Sequence, residues 1–75
     1  MKYVLRLCKA DYNGGTILSE SIHDTFDAAM DAIPFQREYF RNCRVRSDLK
    51  NTIDSIGGWS ITGIGNLSYV IHTMQ

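Results

Sequence analysis

The feature that most constrains this chain is a turn signal flanked on both sides by residues that alternate between inward and outward positions. Near the amino terminus, residues 3–10 alternate with period two, residues 11–15 contain Asn13-Gly14-Gly15, and residues 16–22 resume an extended, β-branched pattern. Period-two alternation is typical of a half-buried strand, and Asn and Gly tolerate the positive φ that a tight reversal requires. The sequence therefore predicts a β-hairpin here.

A second hairpin is predicted at the other end of the chain. Gly65 and Asn66 separate residues 59–64 from residues 67–74, and both stretches are rich in β-branched and aromatic residues. A two-residue Gly-Asn loop suits a type II′ turn. The chain thus begins and ends in β-ribbon.

The first part of the middle section has a helical period. Four apolar residues recur at the spacing of one helical face: Phe26, Ala29, Met30 and Ile33. Asp24 or Thr25 is a suitable N-cap, and Pro34 must end or restart the helix because it lacks an N–H group. The pattern predicts a short helix that ends near Pro34.

Two more segments complete the middle section. Residues 35–41 fit a second short helix, and residues 43–46 alternate like an edge strand but also fit an irregular connection. Ser47 is then expected to cap a third helix, which Gly57-Gly58 closes. Its predicted apolar face consists of Leu49, Thr52, Ile53 and Ile56.

These elements predict one α+β domain over residues 1–75: a two-layer sandwich in which two hairpins form a four-stranded antiparallel sheet and two to three short helices cover one face. Tyr3, Leu5 and Leu7 should face the helices, because the opposite register would expose more apolar surface. The uncovered face is then expected to carry Val4, Arg6, Cys8, Ser68, Val70, His72 and Met74. Half-apolar open faces serve as interfaces, and we expect the contacts to involve Arg6, Val70, His72 and Met74.

Charge is distributed unevenly along a chain whose eight cations and eight anions cancel. Residues 37–50 hold five of the eight cations together with two aromatic residues, and the predicted partner-binding residues are Arg37, Tyr39, Arg41, Arg44, Arg46 and Lys50. Such a segment can contact an acidic protein surface, grip phosphates or form a solvated stripe. An acidic cluster of Glu20, Asp24, Asp27 and Asp31 precedes it. A self-complementary homodimer that pairs the acidic helix with the basic segment is one use of this arrangement.

The chemistry-bearing residues do not form an enzyme motif. His23 and His72 stand beside no nucleophile in sequence, and Cys8 and Cys43 are too far apart for a paired metal-ligand motif. The glycines form no phosphate-binding pattern. We therefore predict no catalytic residue, no metal site and no cofactor. Free cysteines and the absence of a long apolar run favour a cytoplasmic protein that does not contact membranes.

The layout resembles that of small proteins encoded by phages and mobile elements. The chain starts Met1-Lys2-Tyr3-Val4-Leu5, carries Thr25-Phe26-Asp27-Ala28-Ala29 at its first helix, and runs hairpin, helix, hairpin. Some proteins of this kind, including anti-CRISPR proteins and host-polymerase inhibitors, act by occupying a surface of a host complex. The resemblance implies a non-enzymatic protein-binding module that inhibits by steric occlusion. Two alternatives stay open: a small nucleic-acid-binding protein that uses residues 37–50, and a structural homo-oligomeric domain.

Overall fold

The computed structural model describes residues 1–11, 14–34 and 38–75, and it places four antiparallel strands in one sheet. Both predicted hairpins are confirmed: β1 pairs with β2, and β3 pairs with β4. The strands are β1 Lys2–Asp11, β2 Gly14–His23, β3 Gly58–Ile64 and β4 Leu67–Met74. At the second turn Gly65 has φ +62°, a conformation that costs glycine little and other residues more.

The strand order is β2-β1-β4-β3, so the first and last strands lie side by side in the middle of the sheet. Their pairing runs from Lys2 opposite Met74 to Lys9 opposite Leu67. The two hairpins are thereby joined through their inner strands, while β2 and β3 form the edges. Each edge strand carries a register shift, in β2 opposite Leu7 and Cys8 and in β3 between Ser60 and Thr62.

In the described part of the connection between the hairpins there are three helical segments: α1 Phe26–Asp31, a 3₁₀ helix Glu38–Arg41, and α2 Cys43–Ile56. Only α2, with 14 residues, is a helix of several turns. Thr25 caps α1 as predicted, because its Oγ1 accepts a hydrogen bond from the Ala28 N–H at 3.1 Å. Residues 35–37 of the predicted second helix lie outside the described residues.

The start of α2 corrects two predictions. Residues 43–46 are neither an edge strand nor an irregular connection but the first turn of the helix. Asn42, and not Ser47, is the N-cap: its Oδ1 accepts hydrogen bonds from the N–H groups of Arg44 at 2.9 Å and Val45 at 3.2 Å. At the other end Gly57 adopts φ +97°, as predicted for a C-terminal cap.

The core lies between one sheet face and the helices. Its buried apolar residues are Tyr3, Leu5, Phe26, Ala29, Met30, Ile33, Ile53, Ile61 and Ile71. The predicted inner face of α1 is thus confirmed, and so is the inward orientation of Tyr3 and Leu5. On α2, Ile53 is fully buried as predicted. Ile56 is 61% exposed, so its assignment to the inner face of the helix was wrong. No helix among the described residues is long and apolar enough to cross a membrane.

Candidate interaction site

Arg46 forms its hydrogen bonds within the fold, whereas the sequence predicted that its side chain would point outward to a partner. Its Nε donates to the carbonyl oxygen of Phe40 at 2.7 Å, and its two terminal nitrogens lie 3.2 Å from Asp27 Oδ1 and 2.8 Å from Asp31 Oδ1. The side chain is only 15% exposed. Burial opposes its charge, but hydrogen bonds to Asp31 and Asp27 outweigh that effect and raise the pKa of Arg46. Arg46 therefore joins α1, the 3₁₀ helix and α2; we call this contact the Arg46 clasp.

The clasp also engages two members of the acidic cluster. Asp27 and Asp31 were expected to meet the basic segment of a second copy, yet both are paired with Arg46 of their own chain. The remaining members of the acidic cluster are paired within the chain as well, Asp24 with Lys2 and Glu20 with Arg6. In a dimer held by acidic helix against basic segment, the second copy would compete with Arg46 for the carboxylates of Asp27 and Asp31.

Lys50 is likewise committed within the chain. Its Nζ lies 2.8 Å from Asp54 Oδ2, one helical turn away, and the hydroxyl of Tyr3 donates to Asp54 Oδ1 at 2.7 Å. The hydrogen bond from Lys50, followed by that from Tyr3, lowers the pKa of Asp54. Burial and the bond to Asp54 raise the pKa of Tyr3. This chain of contacts ties α2 to the central strand β1.

Three of the predicted contact residues remain available at the corner where the 3₁₀ helix meets α2. The side chains of Arg41 and Arg44 are exposed and form no ion pair with any residue that the structure describes. Tyr39 is 65% exposed, and its ring meets that of Phe40 edge to face at 5.2 Å. Arg37 lies outside the described residues. We call Tyr39, Arg41 and Arg44 the corner patch.

A cleft of about 430 Å³ lies behind the corner patch, between α1 and α2. Phe26, Asp27 and Asp31 line one side, and Arg41, Cys43, Arg46, Ser47 and Lys50 line the other. Within this lining Arg46 pairs with both carboxylates, while Lys50 pairs with Asp54 outside it. The cleft is therefore a mixed-charge groove and does not present a single-sign surface to a phosphate.

The open sheet face holds the second group of predicted contact residues. Arg6, Val70 and His72 are half-buried there and Met74 is exposed, while Arg6 Nε donates to Glu20 Oε2 at 2.6 Å. Val4 was expected to be uncovered, but it is only 2% exposed although it lies outside the core cluster. Its cross-strand neighbours are Ile22 and His72. No described side chain or backbone group is hydrogen-bonded to the buried Nε2 of His72.

One contact that sequence reasoning missed has the form of a nucleophile and a base. Ser21 Oγ lies 2.8 Å from Nε2 of His23. The two residues are two positions apart on β2, so their side chains lie on the same face of the strand. A working pair also needs a third group that orients the imidazole. No described residue hydrogen-bonds the other ring nitrogen of His23. The pair is exposed on an edge strand, and we assign it no chemistry.

Within the described parts of the chain, no three His, Cys, Asp or Glu side chains are grouped so that they could hold a metal ion. Cys8 and Cys43 are both free thiols, and Cys43 stands at the first position of α2. Comparison of the chain with models of protein families, with curated proteins and with solved structures finds no match. The functional argument therefore depends on the geometry alone.

Proposed function

We propose that this chain is a cytoplasmic, non-enzymatic protein-binding module that acts by covering a surface of its partner, as small phage-encoded inhibitors do. The observation that carries the proposal is the corner patch. Tyr and Arg are the residue types that most often dominate the binding energy of protein interfaces. Here one tyrosine and two arginines stand exposed within six residues, while the neighbouring cations Arg46 and Lys50 are paired internally.

The partner surface that fits the corner patch is acidic. Arg41 and Arg44 pair with no carboxylate in the described part of the chain, so a carboxylate on another protein can pair with each of them. Tyr39 supplies apolar area with a polar tip beside them. The mechanism needs no chemistry, because a bound domain of this size excludes other ligands from the area that it covers.

Nucleic-acid binding is the weaker reading. A backbone-binding protein gains affinity from each phosphate that it neutralises. Of the four described cations in residues 38–50, two are already engaged by Asp27, Asp31 and Asp54. The two that remain, Arg41 and Arg44, are flanked by Glu38 and Asp48 in sequence.

The test is affinity capture from the cells that express the gene, with quantification of every captured protein. The corner-patch variant Arg44→Glu is compared with the matched control Lys9→Glu, which makes the same change of net charge at an exposed position of β1 that pairs with no described carboxylate. Arg46 is left intact, since its substitution would disturb the fold. We expect a partner that binds the wild type and the control, is lost with the corner-patch variant, and survives nuclease treatment. Capture that is equal for both variants, or that disappears with nuclease, contradicts the proposal.

A further inference from the structure

The open sheet face has a pattern of bulky and small residues that only the strand order reveals. Cα partners align across all four strands in the order β2, β1, β4, β3. One such row consists of Ile22, Val4, His72 and Gly58. A second row consists of Ile17, Cys8, Ser68 and Gly63. In both rows an isoleucine on one edge strand is matched by a glycine on the other edge strand.

The row between them has a different composition. It consists of Glu20, Arg6, Val70 and Ser60. The charges of Arg6 and Glu20 are joined at 2.6 Å, so the row carries no net charge. In these three rows β3 therefore contributes Gly58, Ser60 and Gly63, and the surface falls away toward that edge. Ile17 and Ile22 are each 52% exposed at the opposite edge.

The edges themselves are poor places for another strand to add. Both β2 and β3 carry a register shift, and a bulge twists an edge strand and interrupts its regular row of backbone groups. The three central rows of the broad face contain neither lysine nor proline, and Lys2, which lies next to them on the same face opposite Met74, is paired with Asp24 at 3.3 Å.

We propose that a second copy of this chain packs on the open face, with a two-fold axis that lies between the two sheets and runs parallel to the strands. This axis places β2 of one copy over β3 of the other. Ile22 then lies over Gly58 of the second copy and Ile17 over its Gly63, so that bulky side chains meet small ones at both edges. Close-packed interfaces require this kind of shape complementarity, and aligned sheet-on-sheet packing supplies the geometry.

The area of the face suits a dimer of moderate affinity. Strands spaced at about 4.8 Å and residues at about 3.4 Å give four strands of this length a face of roughly 550 Å². Two copies would therefore bury about 1,100 Å², which just exceeds the roughly 1,000 Å² expected of a specific interface. The neutral Arg6–Glu20 pair brings no uncompensated charge into the contact.

The first test measures mass against concentration by sedimentation equilibrium. We expect the wild type to pass from the 8.5 kDa chain mass to twice that value in the micromolar range. Ile17→Lys/Ile22→Lys should weaken association about 100-fold or more, with the folded state checked by circular dichroism. Ile56→Lys is the control, because Ile56 is 61% exposed on the helical layer. A wild type that stays monomeric at several hundred micromolar overturns the proposal.

The second test fixes the orientation and uses an exposed position that the fold does not need. Under the proposed axis Ser60 faces Glu20 of the second copy. Ser60→Glu should therefore weaken the dimer about tenfold or more, whereas Ser60→Lys should leave it as tight or tighter. An axis perpendicular to the strands would place Ser60 over Ser60, and both variants would then weaken association. That result, or indifference to both substitutions as in edge-to-edge pairing, overturns the proposed arrangement.

The dimer is independent of the proposed function, because the corner patch belongs to the helical layer and the dimer would bury the opposite face. Loss of the dimer would leave each corner patch intact, and loss of the corner patch would leave the dimer intact. The arrangement would display two corner patches on one particle, so a partner with repeated sites would gain avidity.

Discussion

The Arg46 clasp yields the most direct prediction, because one side chain holds three helical segments together. Arg46→Ala removes a hydrogen bond to the carbonyl of the half-buried Phe40, which costs about 1 kcal/mol. It also removes two pairs with Asp27 and Asp31, whose side chains are about two-thirds exposed, and each of these contributes about 0.5 kcal/mol. The substitution also removes two methylenes of the half-buried stem, whose packing adds about 1 kcal/mol, because the value of about 0.8 kcal/mol per methylene is an upper bound for full burial.

These contributions predict a loss of about 2–3 kcal/mol. A chain of 75 residues has an unfolding free energy of roughly 4–11 kcal/mol, so the loss is a large share of the whole. The corresponding fall in Tm is on the order of 10–20 °C. Arg44→Ala is the matched control: Arg44 lies two residues earlier on α2, is exposed, and pairs with no described carboxylate, so its loss should stay within about 0.5 kcal/mol.

The measurement is urea unfolding of the wild type and both variants. If the free energy of unfolding falls with urea concentration at the same slope in all three, the unfolded state is unchanged. Arg46→Lys should fall between wild type and Arg46→Ala, because an ammonium cannot serve three acceptors in the planar geometry of a guanidinium. A double-mutant cycle with Asp31→Ala should give a positive coupling energy for the pair. Equal unfolding midpoints for Arg46→Ala and Arg44→Ala would refute the reasoning, since they would mean that the clasp contributes nothing.

Two further changes test the helix start and the Tyr3 contact. Asn42→Ala should cost about 1 kcal/mol, because two N–H groups lose their acceptor, while Ser47→Ala should cost nothing in the same urea assay; a reversed order would contradict the assigned cap. Because the pKa of Asp54 is lowered, its contribution to the free energy of unfolding is fully present above pH 3.8, the usual pKa of the group. That contribution is lost as the pH falls through the lowered pKa. Because the pKa of Tyr3 is raised, its contribution to the free energy of unfolding is fully present below pH 10.0, the usual pKa of the group. That contribution is lost as the pH rises through the raised pKa. Tyr3→Phe should therefore remove the alkaline loss and reduce the acid loss in urea midpoints from about pH 2 to pH 11, and an unchanged profile would contradict the contact.

The local features of the chain could be predicted because each depends on a few neighbouring residues. Thr25 caps α1 by accepting a hydrogen bond from Ala28, three residues later, and Gly57 and Gly65 adopt positive φ because they have no side chain. The start of α2 was wrongly predicted for a related reason. Arginines on both sides of Val45 alternate as in a strand, whereas Val45, Leu49 and Ile53 recur at a helical spacing that extends the helix back toward Asn42.

The free cations could not be identified from the sequence. Arg44 and Arg46 are two residues apart and chemically identical, yet Arg44 is exposed whereas Arg46 is half-buried and paired with Asp27 and Asp31. The difference arises because α1 packs beside α2, and the distance between the two helices depends on the core. Neither local propensity nor charge spacing contains that information.

By itself, the sequence determined the two ribbons, the inner face of α1 and the absence of net charge, because hydrophobic period and turn chemistry act over a few residues. Only the tertiary structure decided that β1 lies beside β4, since that pairing joins residues more than 50 positions apart. The same pairing aligns Ile22 with Gly58 across the sheet and brings Asp27 to Arg46 across the helical layer. Contacts between distant segments form only when the whole core closes, and the proposed interaction surfaces are what that closure leaves outside.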